Sequence, residues 1–166
     1  FATVLYQLGR HDEAVEQASK AVVLAPQAIG PRMVIYSARV SQGDLDAASA
    51  VLAEAHEIAP QNLNVLEQMA YVGEQKGDAS AAISAYERIV EIDPAKADAW
   101  AQLGDLYAKN GQLDKSEAAY EKVGELDPEG AHTVFYNIGA LIMNRSTRSD
   151  AETREAIEAF RKAIEA

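Results

Sequence analysis

Residues 97–130 read ADAWAQLGDLYAKNGQLDKSEAAYEKVGELDPEG, and this stretch decides the fold. Gly111 divides it near the middle and Pro128 closes it. Small and large apolar residues recur on either side at helical spacings: Leu103, Gly104 and Tyr107 before the glycine, Ser116 and Tyr120 after it. Proline lacks an N–H and clashes with the turn before it, so a helix stops there. The stretch therefore predicts helix A, a glycine turn, helix B and a proline turn.

The same punctuation runs through the chain. Gly9, Gly43, Gly77 and Gly111 stand 34 residues apart, and so do Pro26, Pro60, Pro94 and Pro128. A fixed period in two breaker residues is the mark of a repeat protein. It gives units at 1–28, 29–62, 63–96, 97–130 and 131–166. Just after each glycine comes a capping-type residue, namely Asp12, Asp46, Ser80 and Asp114, whose side-chain oxygen is expected to accept from the free N–H groups of helix B. Asp114 with Glu117 comes close to a capping box. Side-chain size repeats as well. Seven residues before the glycine stand Ala2, Tyr36, Ala70 and Gly104, and nine after it stand Ala18, Leu52, Tyr86 and Tyr120. Small residues let paired helices approach, and large ones fill the space between units.

A 34-residue period with Trp100, Leu103, Gly104, Tyr107, Ser116, Tyr120 and Pro128 in this order resembles the tetratricopeptide repeat. The resemblance covers nearly the whole chain. It implies an all-α fold, a right-handed α-solenoid superhelix of antiparallel helix pairs, in one domain over 1–166. About five units are expected, the first truncated at Phe1 and the fifth with an expanded turn. Two units depart from the pattern. In the second, Arg32, Tyr36 and Arg39 replace a large apolar residue, a small one and a tyrosine, so its helix A (Pro31 to Ser41) is expected to pack less tightly or to form a local contact site. In the fifth, Phe135, Ile138, Gly139 and Ile142 restate helix A one residue late, and Ala156, Phe160 and Ala163 restate helix B. Between them lies Asn144-Arg145-Ser146-Thr147-Arg148-Ser149-Asp150, with Ser149 and Glu152 spaced as a capping box for a helix starting near Asp150. Asn144-Arg145-Ser146 also fits the N-glycosylation pattern, which matters only in a compartment that glycosylates.

Composition narrows the partners. The formal net charge is −11 and the sequence pI near 4.7, so a phosphate backbone or an anionic membrane is repelled. There is no cysteine and no apolar run long enough to cross a bilayer. Neither fact fixes a compartment. His11, His56 and His132 fall in different units without metal-ligand spacing, and no phosphate loop or nucleophile elbow is present. The reading is of a chain that is not an enzyme and that holds no cofactor or metal.

The resemblance places binding on a concave face lined by the A helices. Helix geometry puts Met33, Ser37, Asn64, Glu67, Gln68, Tyr71, Asp98, Asp105, Tyr136 and Met143 there, with Arg145 and Arg148 as a loop contact. The carboxylate grip of Lys, Arg and Asn that some members of the family use is missing from these places. A neutral, basic or amphipathic peptide or protein segment fits better. The expected function is a non-catalytic interaction scaffold. Two alternatives remain. One is head-to-tail self-assembly into a filament through uncapped ends at Phe1-Val4-Leu5-Leu8 and Phe160-Ile164. The other is an accessory domain of a larger enzyme or of a secretion or envelope assembly.

Overall fold

The computed structural model describes residues 1–144 and 149–165. The described residues form ten α-helices, joined at one place by a short 3₁₀ turn, and no strand. In chain order they are α1 (Ala2–Gln7), α2 (His11–Leu24), α3 (Ile29–Ser41), α4 (Leu45–Ile58) and α5 (Leu63–Lys76). Then follow α6 (Ala79–Ile92), α7 (Ala97–Lys109), α8 (Leu113–Leu126), α9 (Ala131–Met143) and α10 (Asp150–Glu165). Odd-numbered helices are the A helices of the repeat, and even-numbered ones the B helices. The fold is an all-α solenoid of about five repeats. The chain falls into two compact units, Phe1–Ala85 and Tyr86–Ala166.

The glycine turn is built identically four times. Gly9, Gly43, Gly77 and Gly111 have φ between 72° and 76°, the left-handed region that a side chain makes costly. At the second of them, the Gly43 N–H donates to the Val40 carbonyl and the Asp44 N–H to the Arg39 carbonyl, both at 2.9 Å. This pair of bonds satisfies the carbonyls that the end of a helix leaves open. The residue after each glycine then begins helix B. Asp44 accepts from the Ala47 N–H at 3.1 Å and Asp78 from the Ala81 N–H at 3.0 Å, while Arg10 and Gln112 at the same phase give no side-chain cap. The caps therefore lie two residues before the positions expected from sequence. Asp12, Asp46, Ser80 and Asp114 sit inside the first turn, where Asp12, Asp46 and Asp114 meet the positive end of the helix dipole. The box at Ser149 and Glu152 does form. The Ser149 N–H donates to the Glu152 carboxylate at 2.8 Å, the Glu152 N–H donates back to Ser149 Oγ at 3.2 Å, and α10 starts at Asp150.

The B helices end two residues short of their prolines, at Leu24, Ile58, Ile92 and Leu126. The residue before each proline is pushed out of the helical region by the ring that follows it, as the φ values of −137°, −139° and −130° at Ala25, Ala59 and Asp127 show. One side chain from the next helix reaches back to this turn. Trp100 Nε1 donates to the Pro94 carbonyl at 3.0 Å, and Arg32, at the same phase of its repeat, donates from Nη1 to the Pro26 carbonyl at 2.8 Å.

In the first unit Tyr36, Ala48, Leu52, Ala55, Val65 and Val72 form a buried cluster, against which Met33, Val40 and Met69 pack. In the second unit the cluster is Tyr120, Val134, Ile138, Leu141, Ile142, Ala156 and Ala159. Burying a side chain such as Leu52 or Ile142 stabilises by about 2 kcal/mol. Helix α3 is not loosened by its unusual residues: Arg32, Tyr36 and Ala38 are all buried on it. The reason is an exchange of sizes. Where the fourth repeat pairs Gly104 with the large Tyr120, the second places the large Tyr36 at the glycine phase and the smaller Leu52 at the tyrosine phase. The late register of the fifth repeat likewise preserves the pairing, because a Cβ on Gly139 would stand 2.9 Å from the Phe160 ring.

Candidate binding surface

On the first unit, α1, α3 and α5 present three tyrosines, Tyr6, Tyr36 and Tyr71. Tyr36 is buried and its hydroxyl donates to Gln68 Oε1 at 2.6 Å, tying α3 to α5. The Tyr6 hydroxyl lies 3.4 Å from Ser41 Oγ, tying α1 to α3. Tyr71 is 43 % exposed and close enough for its phenol and that of Tyr6 to act on Tyr36. Burial first, and these two phenols next, push the Tyr36 hydroxyl up to about 12. The surface is aromatic and held by side-chain bonds between successive A helices.

The predicted residues divide on this face. Asn64 is exposed, while Glu67 and Gln68 are half-buried beside it in sequence. Met33 packs against the core, and Ser37 donates its hydroxyl to the Met33 carbonyl at 2.9 Å, so both serve the helix at least as much as its surface. Arg32 and Arg39, the unusual cations of α3, are occupied locally. Arg32 binds the Pro26 and Ala28 carbonyls and Glu54, and Arg39 reaches Gln42 at 3.1 Å.

The second unit supplies a different set. Asp98 is exposed in the first turn of α7. Asp105 is half-buried and accepts a short hydrogen bond from the Tyr120 hydroxyl, so it orders the core rather than offering a free carboxylate. Burial, and then this bond, hold the Tyr120 phenol well above its usual range. Tyr107 is raised in the same way, by burial and by its bond to Glu87. Tyr136 is 60 % exposed and meets the Phe160 ring edge-on, with centroids 5.7 Å apart. Met143 is exposed at the end of α9. Arg145 and Arg148 lie outside the described residues.

Four helix pairs share one hydrogen-bonded glycine turn, and the pairing of Gly104 with Tyr120 recurs at Gly139 with Phe160. Within that pattern, the tetratricopeptide-repeat profile matches residues 75–133. That match and the likeness in fold to solved TPR structures support a tetratricopeptide-repeat assignment. Solved TPR structures share the fold over almost the full length of the chain. A crystal structure of MamA is 22% identical with a TM-score of 0.77, covering 99% of this chain and 93% of that one. MamA from Desulfovibrio magneticus RS-1 is 22% identical, with a TM-score of 0.73 over 99% of this chain and 89% of its own. YrrB, described as a TPR protein with an unusual peptide-binding site, is 23% identical with a TM-score of 0.75, over 99% and 82%. A comparison with curated proteins found no match. Among the described residues, no helix is long and apolar enough to cross a membrane and no group of three metal-ligating side chains converges.

Sequence reading missed Tyr6 as a surface residue and did not connect Tyr36 with Gln68. The available signal was tyrosine on three successive A helices, at slightly different phases of the repeat. The shifted phenol gives a pH test. Because the folded hydroxyl is raised above its ordinary value, the neutral form stabilises the fold fully below pH about 10, and that contribution is lost as pH climbs toward 12. Tyr36→Phe removes the ionisable group. In urea unfolding across this window, wild type should lose more stability than Tyr36→Phe, and parallel declines would dismiss the link.

Proposed function

We propose that this chain is a non-catalytic interaction scaffold that takes a neutral, basic or amphipathic peptide or protein segment on its A-helix faces. The observation that carries the reading is the tyrosine face of the first unit, with Tyr71 exposed above the Tyr36–Gln68 bond. A tyrosine ring offers a large, rigid contact area with a polar tip, and such residues dominate binding energy where proteins meet. Glu67 beside it selects against acidic ligands. The likeness in fold to YrrB, named for a peptide-binding site, agrees with a peptide as the occupant.

A displayed library of random peptides, panned on the full chain, tests this. Enriched sequences should be apolar with Lys or Arg and poor in Asp and Glu. Tyr71→Ala and Glu67→Lys should each weaken a selected peptide by about tenfold, the loss typical of a residue central to an interface. Both variants change exposed or half-buried positions, so unchanged circular dichroism is expected. A selected peptide that binds both variants as tightly as wild type places the ligand elsewhere. Asp105 is unsuited to the test, since reversing its charge would also break its bond to Tyr120.

A further inference from the structure

On the second unit, α8 and α10 flank a groove of about 600 Å³ whose floor is α9. Val134, Phe135 and Ile138 supply an apolar floor. Four glutamates line it: Glu117, Glu121 and Glu125 on α8, and Glu158 on α10. No cation is among the described lining residues, while beside the groove Lys122 pairs with Glu125 at 2.6 Å and Arg161 Nη1 lies 3.9 Å from Glu158. The three glutamates on α8 stand one turn apart, about 6 Å along the axis, and therefore share one face. Gly124 leaves the groove open at its middle, and a Cβ there would touch only a Val134 methyl, at 3.6 Å.

We propose that this groove is a second docking surface, taking a basic amphipathic helix of another protein. Apolar side chains of that helix would cover the Val134–Ile138 floor, and its Lys or Arg residues would meet the carboxylate row. Charge complementarity selects the occupant. These carboxylates stand at the rim of the apolar floor, with the Glu125 and Glu158 side chains 63% and 59% exposed. The equivalent groove of the first unit, between α2 and α4, is lined by Arg32 and Arg39 as well as Glu54. The repeat does not by itself impose an acidic lining, since that groove carries cations instead. A helix suits the acidic groove better than a strand. The groove walls are helices whose backbone groups are already paired, so an extended segment would find no sheet edge, whereas a helix satisfies its own backbone.

A fluorescein-labelled amphipathic Leu/Lys helix, titrated with the full chain, serves as the probe. Wild type should bind it, more weakly as salt rises. A scrambled peptide of the same composition should bind far less. The double variant Glu121→Lys/Glu158→Lys should lower affinity at least about tenfold. Gly124→Leu fills the groove and also replaces a poor helix former, so it should fold normally and lose the probe. Glu57→Lys, at an exposed position of α4 outside both surfaces, should leave the probe unaffected, which separates this groove from the general negative charge of the chain. The proposal is overturned if wild type does not bind the probe or binds the scrambled peptide equally well. It is also overturned if Gly124→Leu stays within about twofold of wild type.

Discussion

Gly104→Ala should destabilise the protein by about 2 kcal/mol, the cost of overfilling a packed site. A Cβ on Gly104 would stand 2.7 Å from the Tyr120 ring, inside any tolerable contact. The ring cannot swing aside cheaply. It is 5% exposed, belongs to the core cluster, and is pinned at its far end by the hydroxyl bond to Asp105. Ser116 closes the same space, fully buried, with its Oγ donating to the Gly104 carbonyl at 2.6 Å. In a thermal melt the loss amounts to roughly 5 °C for a chain of this size. The second repeat suggests a rescue, since it carries the large residue at the glycine phase and leucine at the tyrosine phase. Tyr120→Leu alone should cost stability by emptying the site and stranding Asp105. Combined with Gly104→Ala it should cost less than the sum, with a coupling of about 1 kcal/mol. Strict additivity of the two changes would show that Gly104 is not small on account of Tyr120.

Arg32→Leu should cost about 2–3 kcal/mol, whereas Arg32→Trp should cost less than about 1 kcal/mol. Arg32 is 8% exposed, and its guanidinium makes three bonds: to the Pro26 carbonyl at 2.8 Å, to the Ala28 carbonyl at 3.1 Å and to Glu54 at 3.2 Å. The ion pair is the smallest contributor, because the Glu54 side chain is 59% exposed and water screens it. The carbonyl bonds dominate, since a leucine would leave two part-buried acceptors without this donor. Tryptophan restores one donor in the place where Trp100 already uses it on Pro94. Equal losses for leucine and tryptophan, measured by urea unfolding, would show that charge and not carbonyl capping keeps the arginine.

Much of the fold could be read from the residues because its punctuation is chemical. A glycine needed for positive φ and a proline that cannot continue a helix are visible one residue at a time, and their interval gives the repeat. What could not be read was which oxygen caps which N–H. The phase of Asp44 and Asp78 relative to Asp46 and Ser80 depends on where the turn ends, and that follows from the bonds between Gly43 and Val40 and between Asp44 and Arg39. The departures of the second repeat were visible as anomalies, but their compensation was not. Tyr36 needs Leu52, and Arg32 needs the Pro26 carbonyl, and both are matters of packing across helices. Single residues on the surface were less legible still. Met33 and Asp105 lie at surface phases of their helices, yet one packs inward and the other accepts from a core tyrosine. Glu121 and Glu158 are far apart in the chain and meet only in space.

The turn that recurs at Gly9, Gly43, Gly77 and Gly111 has a bearing on descent. Each turn closes its hydrogen bonds within six consecutive residues, from Leu5 to Arg10 in the first and from Tyr107 to Gln112 in the last. A recombination event that joins one repeat to another at the same phase therefore rejoins equivalent ends, with no new turn to be invented. Copies can be gained or lost in whole units of length, and the pairings inside each, such as Gly104 with Tyr120 or Tyr36 with Leu52, travel together as inherited pairs.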